Sequence, residues 1–91
     1  MTFHSPAEGP NEVLREACES GEAVACFHVG VMHETGKGLP QDPTRAAAAY
    51  RRACERGDAS GCYNLALMRA DDPTAALPLY TRACDLGAGG G

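Results

Sequence analysis

The chain has 91 residues, enough for one domain and no more. Its formal net charge of -4 and pI near 5.2 argue against binding to nucleic acid, which requires a basic stripe, and against binding to anionic membranes. The sequence lacks the run of about eighteen apolar residues that membrane insertion requires. Small residues dominate over aromatic ones, which make up 5%, and this composition favours closely packed helices.

The N-terminal segment 1–10, MTFHSPAEGP, has two prolines and no periodicity, so we expect a flexible lead-in. It also lacks the charged and apolar regions of a signal peptide. The pattern becomes helical at Asn11, and we expect one helical domain over 11–87. Its first helix is predicted to run from Asn11, acting as the cap, to about Ser20, with Gly21 next to its end.

A second helix is predicted from about Glu22 to Thr35. Its apolar residues Val24, Phe27 and Val31 follow helical spacing. The segment 36–41, GKGLPQ, is a predicted loop, because its two glycines permit positive φ and its proline breaks a helix.

The third helix begins with a clear start pattern. Asp42 is a favourable N-cap, and Pro43 at the first helical position loses no hydrogen bond. The helix should continue to about Arg56, with Gly57 as its left-handed terminator. A fourth helix should follow over about 58–70.

The start pattern recurs at 72–73, and it predicts a fifth helix to about Leu86 with Gly87 as terminator. Pro78 lies early in this helix and removes one backbone hydrogen bond, so we expect a local kink or a 3₁₀ first turn. The glycine-rich tail 88–91 is predicted to be disordered.

Cysteines mark an internal repeat. Cys18 and Cys26 bracket ACESGEAVAC, and Cys54 and Cys62 bracket ACERGDASGC 36 residues later. A third, partial copy, ACDLG, contains Cys84 and ends before a second cysteine. DPTRAAAAYRRAC also aligns without gaps with DPTAALPLYTRAC. This period predicts an all-α fold, an α/α solenoid of stacked helix hairpins with about five helices.

These motifs resemble the Sel1-like repeat, a relative of the tetratricopeptide repeat. The resemblance is carried by the aromatic-x-[LV]-small-x-M stretch at 27–32, by G-x-G-[VL]-x-x-D at 36–42 and by A-x-x-x-Y-x-x-A at 46–53. It covers about 11–87, although the second copy lacks the G-x-G loop. The C-x₇-C spacing resembles the cysteine-rich secreted branch known from the Helicobacter cysteine-rich proteins, and this implies one disulfide within each hairpin.

The spacing of the cysteines also favours disulfides on geometric grounds. Cys54 falls on the last turn of one helix and Cys62 on the first turns of the next, so their side chains can meet across the corner. The alternative is that the cysteines are small buried residues of a cytosolic protein. Zinc would favour C-x₂₋₄-C knuckles, which are absent, and we expect no metal or other cofactor. Cys84 is predicted to be a free thiol and a candidate crosslink in a homodimer.

Four polar residues of the first helices are candidates for partner binding. His28 occupies the position of Asn64 in the next copy, which suggests a polar contact to a neighbouring loop. His33 matches Arg69 and is expected to be exposed. First helices of a solenoid line a concave surface, which usually binds an extended partner. The aromatic residues at matching positions are expected to be packing residues, and five arginines of the second helices to be surface charge: Arg45, Arg51, Arg52, Arg56 and Arg82.

The predicted function is therefore a non-catalytic scaffold that binds a protein or peptide on its concave face. The resemblance to the cysteine-rich branch leaves weak penicillin-binding or β-lactamase activity as an alternative, but the S-x-x-K, S-D-N and K-T-G motifs are absent. A respiratory-complex assembly factor of the mitochondrial intermembrane space is another alternative. Paired cysteines predict a secreted or periplasmic location, and the Ala-, Arg- and Gly-rich composition favours a bacterial source.

Overall fold

Five helices follow one another along the chain. The computed structural model describes the backbone of residues 9–90 and the side chains of residues 12–87. This part of the chain contains no strand, which confirms the predicted all-α class. Its helices are α1 (Gly9–Glu19), α2 (Ala23–Thr35), α3 (Pro43–Glu55), α4 (Ala59–Met68) and α5 (Pro73–Gly90).

Each helix packs mainly on its neighbours in chain order, and the molecule is elongated, with extents of 43 × 27 × 17 Å. Sequential packing of this kind is the arrangement expected of a solenoid of hairpins.

Aspartates cap two of the helices. The Asp42 carboxylate accepts the backbone N–H groups of Thr44 and Arg45, as predicted for the start of α3. Asp58 is likewise the N-cap of α4 rather than its first residue, and its carboxylate accepts the backbone N–H groups of Ser60 and Gly61. Each cap satisfies donors that an α-helix otherwise leaves unpaired at its start.

The first helix begins earlier than predicted. It starts at Gly9, so Asn11 lies inside the helix and is not its cap. Pro10 is compatible with this start, because a proline in the first helical turn lacks only an N–H group that has no partner there. The predicted flexible lead-in is therefore helical at Gly9 and Pro10, and residues 1–8 lie outside the described part of the chain.

The last helix ends later than predicted. It continues past Gly87 to Gly90, so the prediction that Gly87 terminates it is wrong, and residues 88–90 belong to α5. The physical difference from the first copy is plain. Gly57 adopts a φ of 99° at the corner where α4 turns back along α3, whereas Gly87 does not adopt positive φ and lies inside α5. Residue 91 lies outside the description.

Pro78 lies inside α5, which remains helical on both sides of it. The Asp72 carbonyl accepts N–H groups from both Ala75 at 3.0 Å and Ala76 at 2.9 Å. The first turn of α5 therefore carries a 3₁₀-type bond beside its α-type bond, in part as the predicted 3₁₀ first turn requires.

Two disulfides join consecutive helices at their corners. Cys18 and Cys26 link α1 to α2 with an S–S distance of 2.15 Å, and Cys54 and Cys62 link α3 to α4 at 2.03 Å. Each pair brackets a glycine with positive φ that reverses the chain. The structure thus contains both expected pairings, and Cys84 is a free, exposed thiol.

Small residues let the helices approach closely in the core. Tyr50 is fully buried, and a Cβ atom on Gly30 would lie 2.5 Å from its ring. A Cβ atom on Gly61 would lie 2.6 Å from the Cβ of Ala53. The aromatic residues at matching positions also pack as predicted: the ring centroids of Phe27 and Tyr50 lie 5.9 Å apart, and those of Tyr63 and Tyr80 lie 5.8 Å apart.

Candidate functional site

The four predicted binding residues do not form one site. Asn64 lines a groove between α4 and α5. His33 lines a separate groove between α1 and α3, and Arg69 lines another between α3 and α5. His28 is exposed on α2. Sequence position alone placed these residues on the same helices, but residues five apart on a helix point in different directions.

His33 is buried, with 7% of its surface exposed, so the prediction that it is exposed is wrong. Its Nδ1 lies 3.0 Å from the carbonyl oxygen of Pro40. Because a carbonyl only accepts, this nitrogen must carry the hydrogen. The backbone carbonyl of His33 also accepts the N–H of Asp42 at 2.8 Å. Both bonds tie the loop 36–41 back onto the last turn of α2, and this loop covers the histidine.

His28 does not make the predicted polar contact. Its ring meets the edge of Phe27, with centroids 5.6 Å apart, and it forms no hydrogen bond with the residues that the structure describes. It remains available on the surface.

Asn64 contacts a buried tyrosine across the repeat. The Tyr50 hydroxyl donates to a Glu34 carboxylate oxygen at 2.6 Å and accepts from the Asn64 side chain. Burial, and then the bond to Glu34, raises the pKa of Tyr50 well above the usual value for tyrosine. Asn64 therefore helps to orient Tyr50, a role that an alignment of repeats does not reveal because the contact joins different helices.

An exposed groove lies along the last hairpin, and we call it the open-end groove. Its volume is about 480 Å³, and most of its lining is apolar. Tyr63 and Tyr80 contact each other there, and Tyr63 is half exposed. The principal lining residues are Phe27, Tyr63, Asn64, Tyr80, Ala83 and Cys84.

The open-end groove has a filled counterpart in the preceding hairpin. Tyr80, Ala83 and Cys84 match Tyr50, Ala53 and Cys54 in the internal alignment. In that hairpin α4 covers the equivalent surface, and Gly61 lies directly over Ala53 and the backbone of Cys54. In the described chain no helix covers α5 in this way.

The neighbouring face of α5 is open as well. Leu77 occupies the position of Ala47 and is 65% exposed, whereas Ala47 packs against the core around Tyr50. Cys84 is exposed where Cys54 is buried in its disulfide. The last hairpin therefore presents an apolar surface of the kind that a further helix buries elsewhere in this molecule.

Over the described residues, no group of three His, Cys, Asp or Glu side chains is placed to hold a metal ion. None of the described helices is both long and apolar enough to span a bilayer.

Comparison with protein families accounts for the repeated architecture. The Sel1 repeat model matches residues 23–58 and 59–87. The chain belongs to the Sel1 repeat family. No curated protein and no solved structure matches it. The two matched Sel1 repeats are the hairpins α2–α3 and α4–α5, so the Cys54–Cys62 disulfide joins one Sel1 repeat to the next. Sel1 repeats generally mediate protein–protein interactions.

Proposed function

We propose that this Sel1 repeat chain is a non-catalytic scaffold that binds a helix of a partner protein in the open-end groove. The observation that carries the proposal is the uncovered surface of α5, whose equivalent on α3 is buried under α4. Hairpins in repeat proteins bury their apolar faces by stacking, so a surface of this shape favours a helical occupant.

The packing of α4 on α3 indicates the chemistry of that partner helix. Gly61 and Cys62 are buried where α4 meets α3, and Leu65 and Ala66 continue the same buried stripe one turn later. A matching partner would be an amphipathic helix with small residues at its first contact and an apolar residue about one turn on. Of the predicted binding residues, Asn64 lines the open-end groove, whereas Arg69 lines a separate groove and His28 is exposed on α2 outside the open-end groove.

The proposal can be tested with a peptide of this chain's own sequence. Residues 58–70, DASGCYNLALMRA, contain α4, and the labelled peptide serves as the probe. In a buffer of oxidised and reduced glutathione we expect a mixed disulfide between the peptide's cysteine and Cys84. Its formation oxidises two thiols and reduces one oxidised glutathione to two reduced molecules. Intact mass spectrometry measures the yield.

Matched variants separate a fitted groove from simple thiol reactivity. Ala83→Arg places a long side chain at the position equivalent to Ala53, under the incoming helix, and should abolish capture of the peptide. Ala75→Arg makes the same chemical change on an exposed part of α5 outside the groove, and should leave capture unchanged. A scrambled peptide with its cysteine at the same position should react far more slowly.

Three results would contradict the proposal. Equal capture of the native and scrambled peptides would show that the groove does not select a helix. Undiminished capture by Ala83→Arg would place binding elsewhere. A chain that crosslinks only to itself through Cys84 would make a second copy, in a homodimer, the occupant instead of a partner protein.

We also propose that the protein works in an oxidising compartment, secreted or periplasmic, as in the cysteine-rich branch that it resembles. The two disulfides support this, because such bonds persist mainly outside reducing compartments. Protein isolated with thiols blocked should gain the mass of about four hydrogens on reduction, two for each bridge. No gain in mass would contradict the assignment.

A further inference from the structure

Another groove lies between α1 and α3, with α2 beneath it, and we call it the arginine groove. It has a volume of about 180 Å³ and shares no lining residue with the open-end groove. Three arginines from two helices converge there, beside one acid and the buried histidine. The charged and titratable lining residues are Arg15, Glu19, His33, Arg45 and Arg52.

The side chains that line this groove carry more positive than negative charge, although the chain as a whole is acidic. Three guanidinium groups face one carboxylate, that of Glu19, in a protein whose net charge is -4. A groove lined by one sign of charge concentrates ligands of the other sign. The groove therefore favours anionic groups.

The arginines are only partly engaged by the protein itself. Arg15 Nη1 lies 2.8 Å from Glu12 Oε1, and Arg45 Nε lies 3.3 Å from Asp42 Oδ2. Arg52 forms no ion pair with any residue that the structure describes. Because a guanidinium group carries five N–H donors, most of the donors in the groove remain available.

The size of the groove restricts what can enter it. Its volume is smaller than the roughly 300–1,000 Å³ of typical small-molecule sites. The floor consists of small or apolar side chains, among them Val29, Ala48 and Ala49. Such a space suits a single short acidic side chain, which planar guanidinium groups can hold through paired hydrogen bonds.

The next repeat provides an internal comparison. The equivalent groove between α3 and α5 is lined by Arg51 and Arg69, which match Arg15 and His33. Ala75 replaces the arginine at the position of Arg45, and two aspartates at 71–72 line the groove as well. The lining of this α3–α5 groove thus has two arginines and two aspartates. The lining of the arginine groove has three arginines and one glutamate, and Glu12 and Asp42 pair with two of those arginines from outside the lining.

We propose that Arg15, Arg45 and Arg52 form a binding site for one carboxylate side chain within an acidic segment of a partner protein. The site is independent of the open-end groove, and either could be occupied without the other.

Hexaglutamate peptide is a suitable probe, and amide NMR spectra of the full chain report where it binds. We expect shifts concentrated around residues 48–52 and 33, and weakening of the affinity as the ionic strength rises. Arg52→Glu should weaken binding about tenfold or more, because it replaces a donor to a carboxylate with a like charge. Arg51→Glu makes the same charge change one residue away, in the groove between α3 and α5, and should change the affinity less than about threefold.

Several outcomes would overturn the proposal. Equal weakening by the two variants would show attraction by overall charge alone, and the absence of localised shifts would show that there is no site. The same shifts with inorganic phosphate at equal concentration would indicate a general anion site, and tighter binding of oligothymidylate would indicate nucleic acid. If Arg52→Glu alters the fold by circular dichroism, Arg52→Gln replaces it, with Arg51→Gln as its control.

Discussion

The hairpins α2–α3 and α4–α5 share a sequence pattern but have different surroundings. Tyr50 is fully buried, whereas its equivalent Tyr80 is only partly buried. Cys54 is held in a disulfide, whereas Cys84 is a free and exposed thiol. The same local sequence thus forms part of the core where α4 covers it, and a surface on α5, which no described helix covers in the same way. Place in the array, and not helix sequence alone, determines what each residue does.

The largest expected effect comes from deleting the two matching tyrosine side chains. Tyr50→Ala should lower the free energy of unfolding by about 3–5 kcal/mol, because it leaves a large cavity in the core. Tyr80→Ala should cost about 1–2 kcal/mol, because part of its ring is already in water. Chemical denaturation of both variants measures the difference. Equal losses would show that the two hairpins are packed alike.

Removing the disulfide sharpens the comparison between the matching cysteines. The Cys54→Ser, Cys62→Ser double variant should lose about 2.5 kcal/mol, the chain-entropy value for a closed loop of about nine residues. Cys84→Ser should change stability by less than about 0.5 kcal/mol, because its side chain is exposed and unpaired. Denaturation under non-reducing conditions measures both. A large loss for Cys84→Ser would mean that Cys84 has a structural role.

Much of the architecture follows from the sequence because its causes are local. The start of α3 depends on Asp42 and Pro43, and the corner at Gly57 on the freedom of glycine to adopt positive φ. The cysteine spacing fixes which side chains can meet across a corner. These are properties of a few consecutive residues, so they can be predicted without knowing how the helices pack.

The candidate site was less predictable, because contacts between elements decide it. Burial of His33 depends on the loop carbonyl of Pro40 folding back over α2, and Asn64 is used by Tyr50 in another helix. The continuation of α5 through Gly87 was also not predicted, because contacts between helices bear on where a helix ends. The local sequences ACERG and ACDLG are similar, and the corner at Gly57 is accompanied by the packing of α4 on α3, which the local sequence does not reveal.

A third prediction changes the small residues at matching positions of α2 and α4, Gly30 and Ala66. Gly30→Ala should cost about 1–3 kcal/mol, because the new Cβ would lie 2.5 Å from the ring of Tyr50, which is enclosed on all sides. Ala66 occupies the matching position in the second hairpin, where a Cβ is accommodated. Ala66→Gly should cost about 1 kcal/mol, mainly from lower helix propensity. Denaturation midpoints compare them, and a stabilising Gly30→Ala would contradict the close packing.

The smallest expected effect is the pH dependence that Tyr50 gives to the free energy of unfolding. Tyr50 has a folded-state pKa raised above its unfolded value of about 10, so its contribution to stability is complete below pH 10 and is lost as the pH rises further. Tyr50→Phe removes this loss, and below pH 10 it should cost about 0.5–1.5 kcal/mol through the lost bond to Glu34. Tyrosinate absorbance provides the direct measurement: one of the three tyrosines should resist titration until the protein unfolds, and Tyr50→Phe should abolish that late step. A late step that persists in Tyr50→Phe would assign it to Tyr63 or Tyr80, and the second hairpin would then enclose its tyrosine as tightly as the first.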